Sequence, residues 1–109
     1  MIVSYERVVM SHECILWCNS GTSDKLWGVT TYEGKPVSFW GRRGRDLRFK
    51  LISKNDAETG RRKKLEKDYN PTTFDAIEAV TPGFTTEFNT MLTMCILGDG
   101  FHRMHPDSE

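Results

Sequence analysis

The chain has 109 residues, 38% of them hydrophobic and 11% aromatic, and a formal net charge of zero. That is enough for one ordered domain around one core, too little for two, and too apolar for a disordered tail. No run approaches the roughly 20 apolar residues of a membrane helix, charges interrupt the apolar N-terminus as they do not in a secretory leader, and three cysteines without a repeated spacing make no disulfide framework.

The charges are segregated. Residues 1–24 carry a net −2, residues 25–69 hold thirteen Lys or Arg against six Asp or Glu for a net +7, and residues 70–109 carry −5. Such asymmetry fits either a polyanion-binding face or ordinary solvated charge.

In chain order, residues 2–18 are rich in Val, Ile, Tyr and Trp without Gly or Pro, as a long or bent first strand would be. The turn formers Asn19 to Asp24 end it. Residues 25–32 predict a second strand, Glu33-Gly34-Lys35-Pro36 a hairpin turn, 37–42 a third strand, and Leu47 to Ile52, after the turn at Gly44, a fourth. From Asn55 the pattern turns helical: Asn55 is placed to cap, Glu58 at the third position, and Ala57, Leu65 and Tyr69 on one stripe. Gly60 and Arg61 interrupt that stripe, so the helix is expected either from Asn55 or only after Gly60. Pro71 closes it, a short helix is expected within 72–80 around Phe74, Ile77 and Val80, and Phe84, Phe88, Met91, Leu92, Cys95 and Ile96 recur at helical spacing before a Gly98 cap. The fold class is therefore α+β: an antiparallel sheet of four to five strands followed by helices, with a C-terminal helical extension.

Strand parity singles out one motif. Val37 and Phe39 point to one side of their strand, Trp40 and Arg42 to the other. Leu47, Phe49 and Leu51 can meet Val37 and Phe39 only across a turn with an odd number of residues, such as a three-residue loop using Gly44. The same parity gathers Trp40, Arg42, Arg48 and Lys50 on the opposite face. That face is either a solvated sheet surface with Trp40 packed under the C-terminal helix, or a platform for nucleotides. On such a platform stacking on an indole contributes ~1–3 kcal/mol per base, Arg grips phosphate through two parallel hydrogen bonds, and Gly41 lets a ligand approach closely. Arg61 to Lys64 either extends that footprint or forms a solvated helix face.

The segments "DKLWGVTTY" (24–32), "FWGRRGR" (39–45) and "RRKKLEKDYNP" (61–71) resemble, in this order, the WGR domain of poly(ADP-ribose) polymerases and small bacterial proteins, over residues 4–71. The resemblance implies a WGR-like domain over 1–71 and a sheet crossed by one helix; residues 72–109 lie outside it and are expected, from their helical spacing, to form a C-terminal helical extension packed on the same domain. The resemblance also implies association with DNA, in some members with 5′-phosphorylated broken ends. Trp40 would stack on a nucleotide, Arg42 contact phosphate and Lys25 line the neighbouring strand, with Gly41, Arg43, Arg45, Arg48, Lys50, Arg62 and Lys63 completing the candidate contacts. The chain departs from the family pattern at Arg45-Asp46-Leu47, where Gly-Gln is usual, and at Arg61, where the helix usually carries an apolar residue.

The expected function is a non-catalytic nucleic-acid-binding module, most simply for DNA without sequence readout, in an intracellular and cytoplasmic or DNA-associated setting. The alternative is a protein-interaction module, adaptor or inhibitor, using the same face or the helix around Phe84, Phe88 and Met91. No paired carboxylates or Gly-rich phosphate loop suggest an enzyme, and no cofactor is expected. His12, Cys14 and Cys18 share strand parity and His102 and His105 lie in the tail, but without ligand spacing they predict no metal site.

Overall fold

The computed structural model describes residues 14–97, with side chains through Cys95. Five strands, β1 (Cys14–Ser20), β2 (Ser23–Tyr32), β3 (Lys35–Arg42), β4 (Arg48–Leu51) and β5 (Asn70–Pro71), form one sheet in the order β4-β3-β2-β1-β5. Every pairing is antiparallel. Three helices, α1 (Lys54–Leu65), α2 (Phe74–Val80) and α3 (Phe84–Leu97), complete the α+β fold. Of the long first strand expected over 2–18, residues 2–13 lie outside the described region, as does the Gly98 cap.

The hairpin turns are tighter than expected. The Asn19 to Asp24 cluster contracts to Gly21-Thr22, and the Glu33 to Pro36 turn to Glu33-Gly34, both at positive φ (52° and 79°). That pair of angles matches the right-handed twist of the flanking strands, and glycine reaches its angle without steric penalty. The β3–β4 connection has the odd parity required, but spans five residues, 43–47, instead of three. Val37 lies opposite Leu51 and Phe39 opposite Phe49, which leaves Ser38 opposite Lys50 and Trp40 opposite Arg48 on the other face.

α1 joins β4 at one edge of the sheet to β5 at the other, so it must cross a face. Twelve helical residues span about 18 Å, close to the roughly 19 Å of four interstrand spacings. The helix starts earlier than Asn55: Ser53, in extended conformation, accepts a hydrogen bond from the Asp56 N–H at 3.0 Å. Gly60 does not delay the helix. It lies inside α1, where a Cβ would come 2.7 Å from Cζ2 of Trp27, so the missing side chain is what seats the helix on the sheet.

α2 and α3 cover the opposite face. Ile15, Leu26, Val37, Phe39, Leu47 and Phe49 meet Ile77, Phe84 and Phe88 in one core. Phe88 stands edge-on to Phe39 (4.8 Å between centroids) and Phe74 (4.9 Å), a favoured aromatic geometry. The Glu78 carboxylate accepts from the N–H groups of Gly83 (2.7 Å) and Thr85 (2.9 Å), tying α2 to the start of α3. Those backbone hydrogen bonds hold its carboxyl below the usual range. No helix among the described residues is long and apolar enough to cross a membrane.

Candidate functional site

The register places Lys25 opposite Arg42 and Trp27 opposite Trp40 on adjoining strands. All four point to the face that α1 crosses, since Leu26 and Phe39 on the alternate positions enter the other core. Trp27 is buried beneath Gly60; Trp40 packs against the same cluster and remains half-buried.

Because α1 runs diagonally from one sheet edge to the other, it leaves one corner of this face uncovered. That corner is an open groove of about 720 Å³. Its sheet side is built from Lys25, Trp27, Ser38, Trp40, Arg42 and Lys50, and its helix side from Asp56, Thr59, Gly60, Lys63 and Lys64, a stripe at the three- and four-residue spacing of one helix face. Five cations (Lys25, Arg42, Lys50, Lys63 and Lys64) thus surround the tryptophans, against one carboxylate, Asp56. Among the described residues none of the five makes an ion pair; the recorded pairs are Arg43 with Asp24 and Arg61 with Glu58.

The groove has two chemically different ends. At one, Lys25 and Arg42 face Lys63 and Lys64; at the other, Ser38, Lys50 and Ile52 face Asp56 and Thr59, with Trp27, Trp40 and Gly60 between them. Lys64 is the most enclosed of the cations on the helix side, its ammonium 5.1 Å from the centre of the Tyr69 ring. Burial, then the charges of Lys67 and Lys25, push its pKa down, with Cys18 acting in the opposite sense. Burial, followed by Cys18, pushes the Tyr69 phenol up.

The structure therefore brings together six of the ten expected contact residues: Lys25, Trp40, Gly41, Arg42, Lys50 and Lys63. Arg48 shares the face by register with Trp40 but stands exposed at the β4 edge outside the groove. Arg45 lies in the exposed β3–β4 turn, and Arg62 on the exposed side of α1.

Arg43 is turned away altogether. It donates to both oxygens of Asp24 (2.9 and 2.7 Å) and to Thr81 Oγ1 (2.8 Å), and lies 5.2 Å from the Trp17 ring centre. It ties the strand hairpins to the α2–α3 junction. Gly41 has a packing role beside its place in the groove lining. At φ 149° its missing side chain faces Leu47, whose Cδ2 would lie 3.0 Å from a Cβ, so the glycine makes room for the protein's own core while its backbone lines the groove. Arg61 forms an ion pair with Glu58 at 3.5 Å on the helix surface.

Sequence reasoning missed Trp27, Ser38, Asp56, Thr59 and Tyr69, and left Lys64, within the Arg61 to Lys64 run, between a binding footprint and a solvated face. Trp27 was within reach, because pairing β2 and β3 through the short Glu33-Gly34 turn sets it opposite Trp40. Lys64 lies four residues after Gly60 and so on the same helix face, which becomes visible only once Gly60 is recognised as the contact point. Among the described residues no group of His, Cys, Asp and Glu could hold a metal ion; His12, His102 and His105 lie outside them. No family model, curated protein or solved structure matches the chain.

Proposed function

We propose that the groove beside α1 binds nucleic acid, DNA in the first instance, through its phosphates and an exposed base or sugar at a strand end. The observation that carries this reading is the set of five cations, none in an ion pair among the described residues and outnumbering the single groove carboxylate Asp56, around two tryptophans in one open groove. Such a groove tracks a backbone electrostatically, and the part of Trp40 left open to it would offer a sequence-tolerant stacking surface. The resemblance to the WGR domain supports the same reading, since Trp40, Arg42 and Lys25 are the residues it carries over and all three line the groove. The module would act by binding, among intracellular nucleic acid, without turnover.

A partner-binding role for the C-terminal helix draws no support from its apolar stripe, because Phe84 (5% exposed) and Phe88 (3%) are spent on the protein's own core and Met91 packs against it.

The test is a titration with single-stranded, blunt duplex and 5′-phosphorylated duplex DNA at two salt concentrations, followed by tryptophan fluorescence. If about four cations engage phosphates, log Kd should change with log salt with a slope of about 3 to 4 in magnitude. A salt-independent response, or none, would remove the reading.

A further inference from the structure

Lys64 differs from the other groove cations in its surroundings. It is half-buried, as Lys50 is, where Lys25, Arg42 and Lys63 are exposed; its ammonium lies over the Tyr69 ring, and Lys67 and Lys25 act on it as like charges. The titratable and charged groups acting on it from neighbouring elements are Lys25 on β2, Cys18 on β1, and Lys67 and Tyr69 after α1. No carboxylate lies within ion-pair distance of it among the described residues. A desolvated amine beside other cations keeps a larger neutral fraction than a free lysine, and only the neutral amine is a nucleophile. Burial and the two lysines act in that direction here.

The position matters as much as the reactivity. Lys64 lies at the groove end where Lys25, Arg42 and Lys63 converge, so a strand anchored there by its phosphates holds its sugars next to the amine. We propose that Lys64 captures an aldehyde carried by a bound phosphorylated strand, such as the ring-opened sugar of an abasic site, as an imine. The amine lone pair adds to the aldehyde carbon, forming the C–N bond while the carbonyl oxygen takes up a proton. The resulting carbinolamine loses that oxygen as water with the two protons first borne by the amine, leaving C=N. No electrons are gained or lost, and the step reverses on hydrolysis.

This inference rests on the nucleic-acid reading, and two oligonucleotides separate the failure of one from that of the other. One contains an abasic site; the other has a tetrahydrofuran at the same position, equally phosphorylated but without an aldehyde. The full chain is incubated with each and sodium cyanoborohydride, and covalent product is read on a denaturing gel as a fraction of the oligonucleotide bound. The expected result is trapping of the abasic strand alone, mapped by mass spectrometry to Lys64. The trapped fraction of bound strand should fall at least tenfold in Lys64→Arg, which keeps the charge and removes the nucleophile. Trapping should also level off at a lower pH than for a free lysine analogue. If both oligonucleotides bind but the adduct maps to other lysines, or Lys64→Arg traps as well as the parent, the inference is overturned while the binding function stands. If neither binds, both are overturned.

Discussion

The two faces of the sheet are covered by different means. On one, α2 and α3 bring aromatic side chains into aromatic side chains, and Phe39, Phe49, Phe84 and Phe88 are nearly or wholly removed from solvent. On the other, α1 approaches through Ala57 and Gly60, residues too small to hold it off the sheet, and only a diagonal of that face is sealed. A helix that docks through small residues gains closeness and gives up coverage, so the corner beside it stays open to the long cations around it. The comparison implies that stability resides mainly in the aromatic face. Phe88→Ala, which empties the centre of that cluster, should therefore destabilise by about 3–5 kcal/mol in urea unfolding. A loss under about 1 kcal/mol would mean that the cluster is not the principal core.

Arg42 and Arg43 show the same contrast between neighbours in sequence. Arg42 ends β3 on the groove face, while Arg43 leaves the strand and binds Asp24 and Thr81 on the α2–α3 side. Removing a charged donor from a partly buried pair commonly costs about 1.5–3 kcal/mol, and Arg43→Ala should lose about that much stability. The substitution also carries a pH signature. Burial alone would raise the Asp24 carboxyl, but hydrogen bonds from Arg43 and Trp17, with the charges of Arg43 and Arg42, hold it below its ordinary value. A carboxyl depressed on folding adds stability that is complete above the unfolded value of about 3.9 and disappears as pH falls through the folded one. Stability of Arg43→Ala should accordingly fall less steeply than the parent's in that acid range. Equal acid slopes for parent and variant would show that Arg43 is not the group holding Asp24 down.

Most of the sheet was legible because strand parity is a local property. The alternation of Val37, Phe39, Leu47, Phe49 and Leu51 with Trp40, Arg42, Arg48 and Lys50 fixes which residues share a face, whatever covers it. What parity cannot encode is the covering itself. The path of α1 depends on β5, a two-residue strand with no pattern of its own, pairing with Leu16 and Trp17 at the far edge. Gly60 looked like a helix breaker in sequence because its value lies in the Trp27 ring beneath it. The packing of Gly41 on Leu47 is likewise invisible in sequence, and Arg43 reads as one more groove cation until Asp24 and Thr81 are seen around it. Gly60→Val probes the covering directly. The new side chain must displace Trp27, an overpacking loss of about 1–3 kcal/mol, offset by only about 0.3–0.5 kcal/mol from replacing glycine within a helix, because valine is itself a poor helix former. A net loss of about 1–2 kcal/mol is expected, with a changed near-ultraviolet tryptophan signal. A variant as stable as the parent with an unchanged signal would mean that α1 is not seated on Trp27.

The smallest effect separates the groove from the rest of the basic surface. Lys63 lines the groove, whereas Arg45 stands exposed in the β3–β4 turn outside it. Net charge falls by one in either Lys63→Ala or Arg45→Ala, so a polyanion held only by the diffuse positive field would lose affinity to the same small extent in both. A strand lying in the groove answers differently, because each phosphate contact releases counterions of its own. Lys63→Ala should lower the magnitude of the log Kd against log salt slope by about 0.7–0.9, the lower figure applying to a single strand and the higher to a duplex, while Arg45→Ala should leave it unchanged within error. Equal slopes in the two variants would place the polyanion on the general surface and leave the groove without its ligand. A drop confined to Lys63→Ala ties binding to the groove that α1 leaves open beside it.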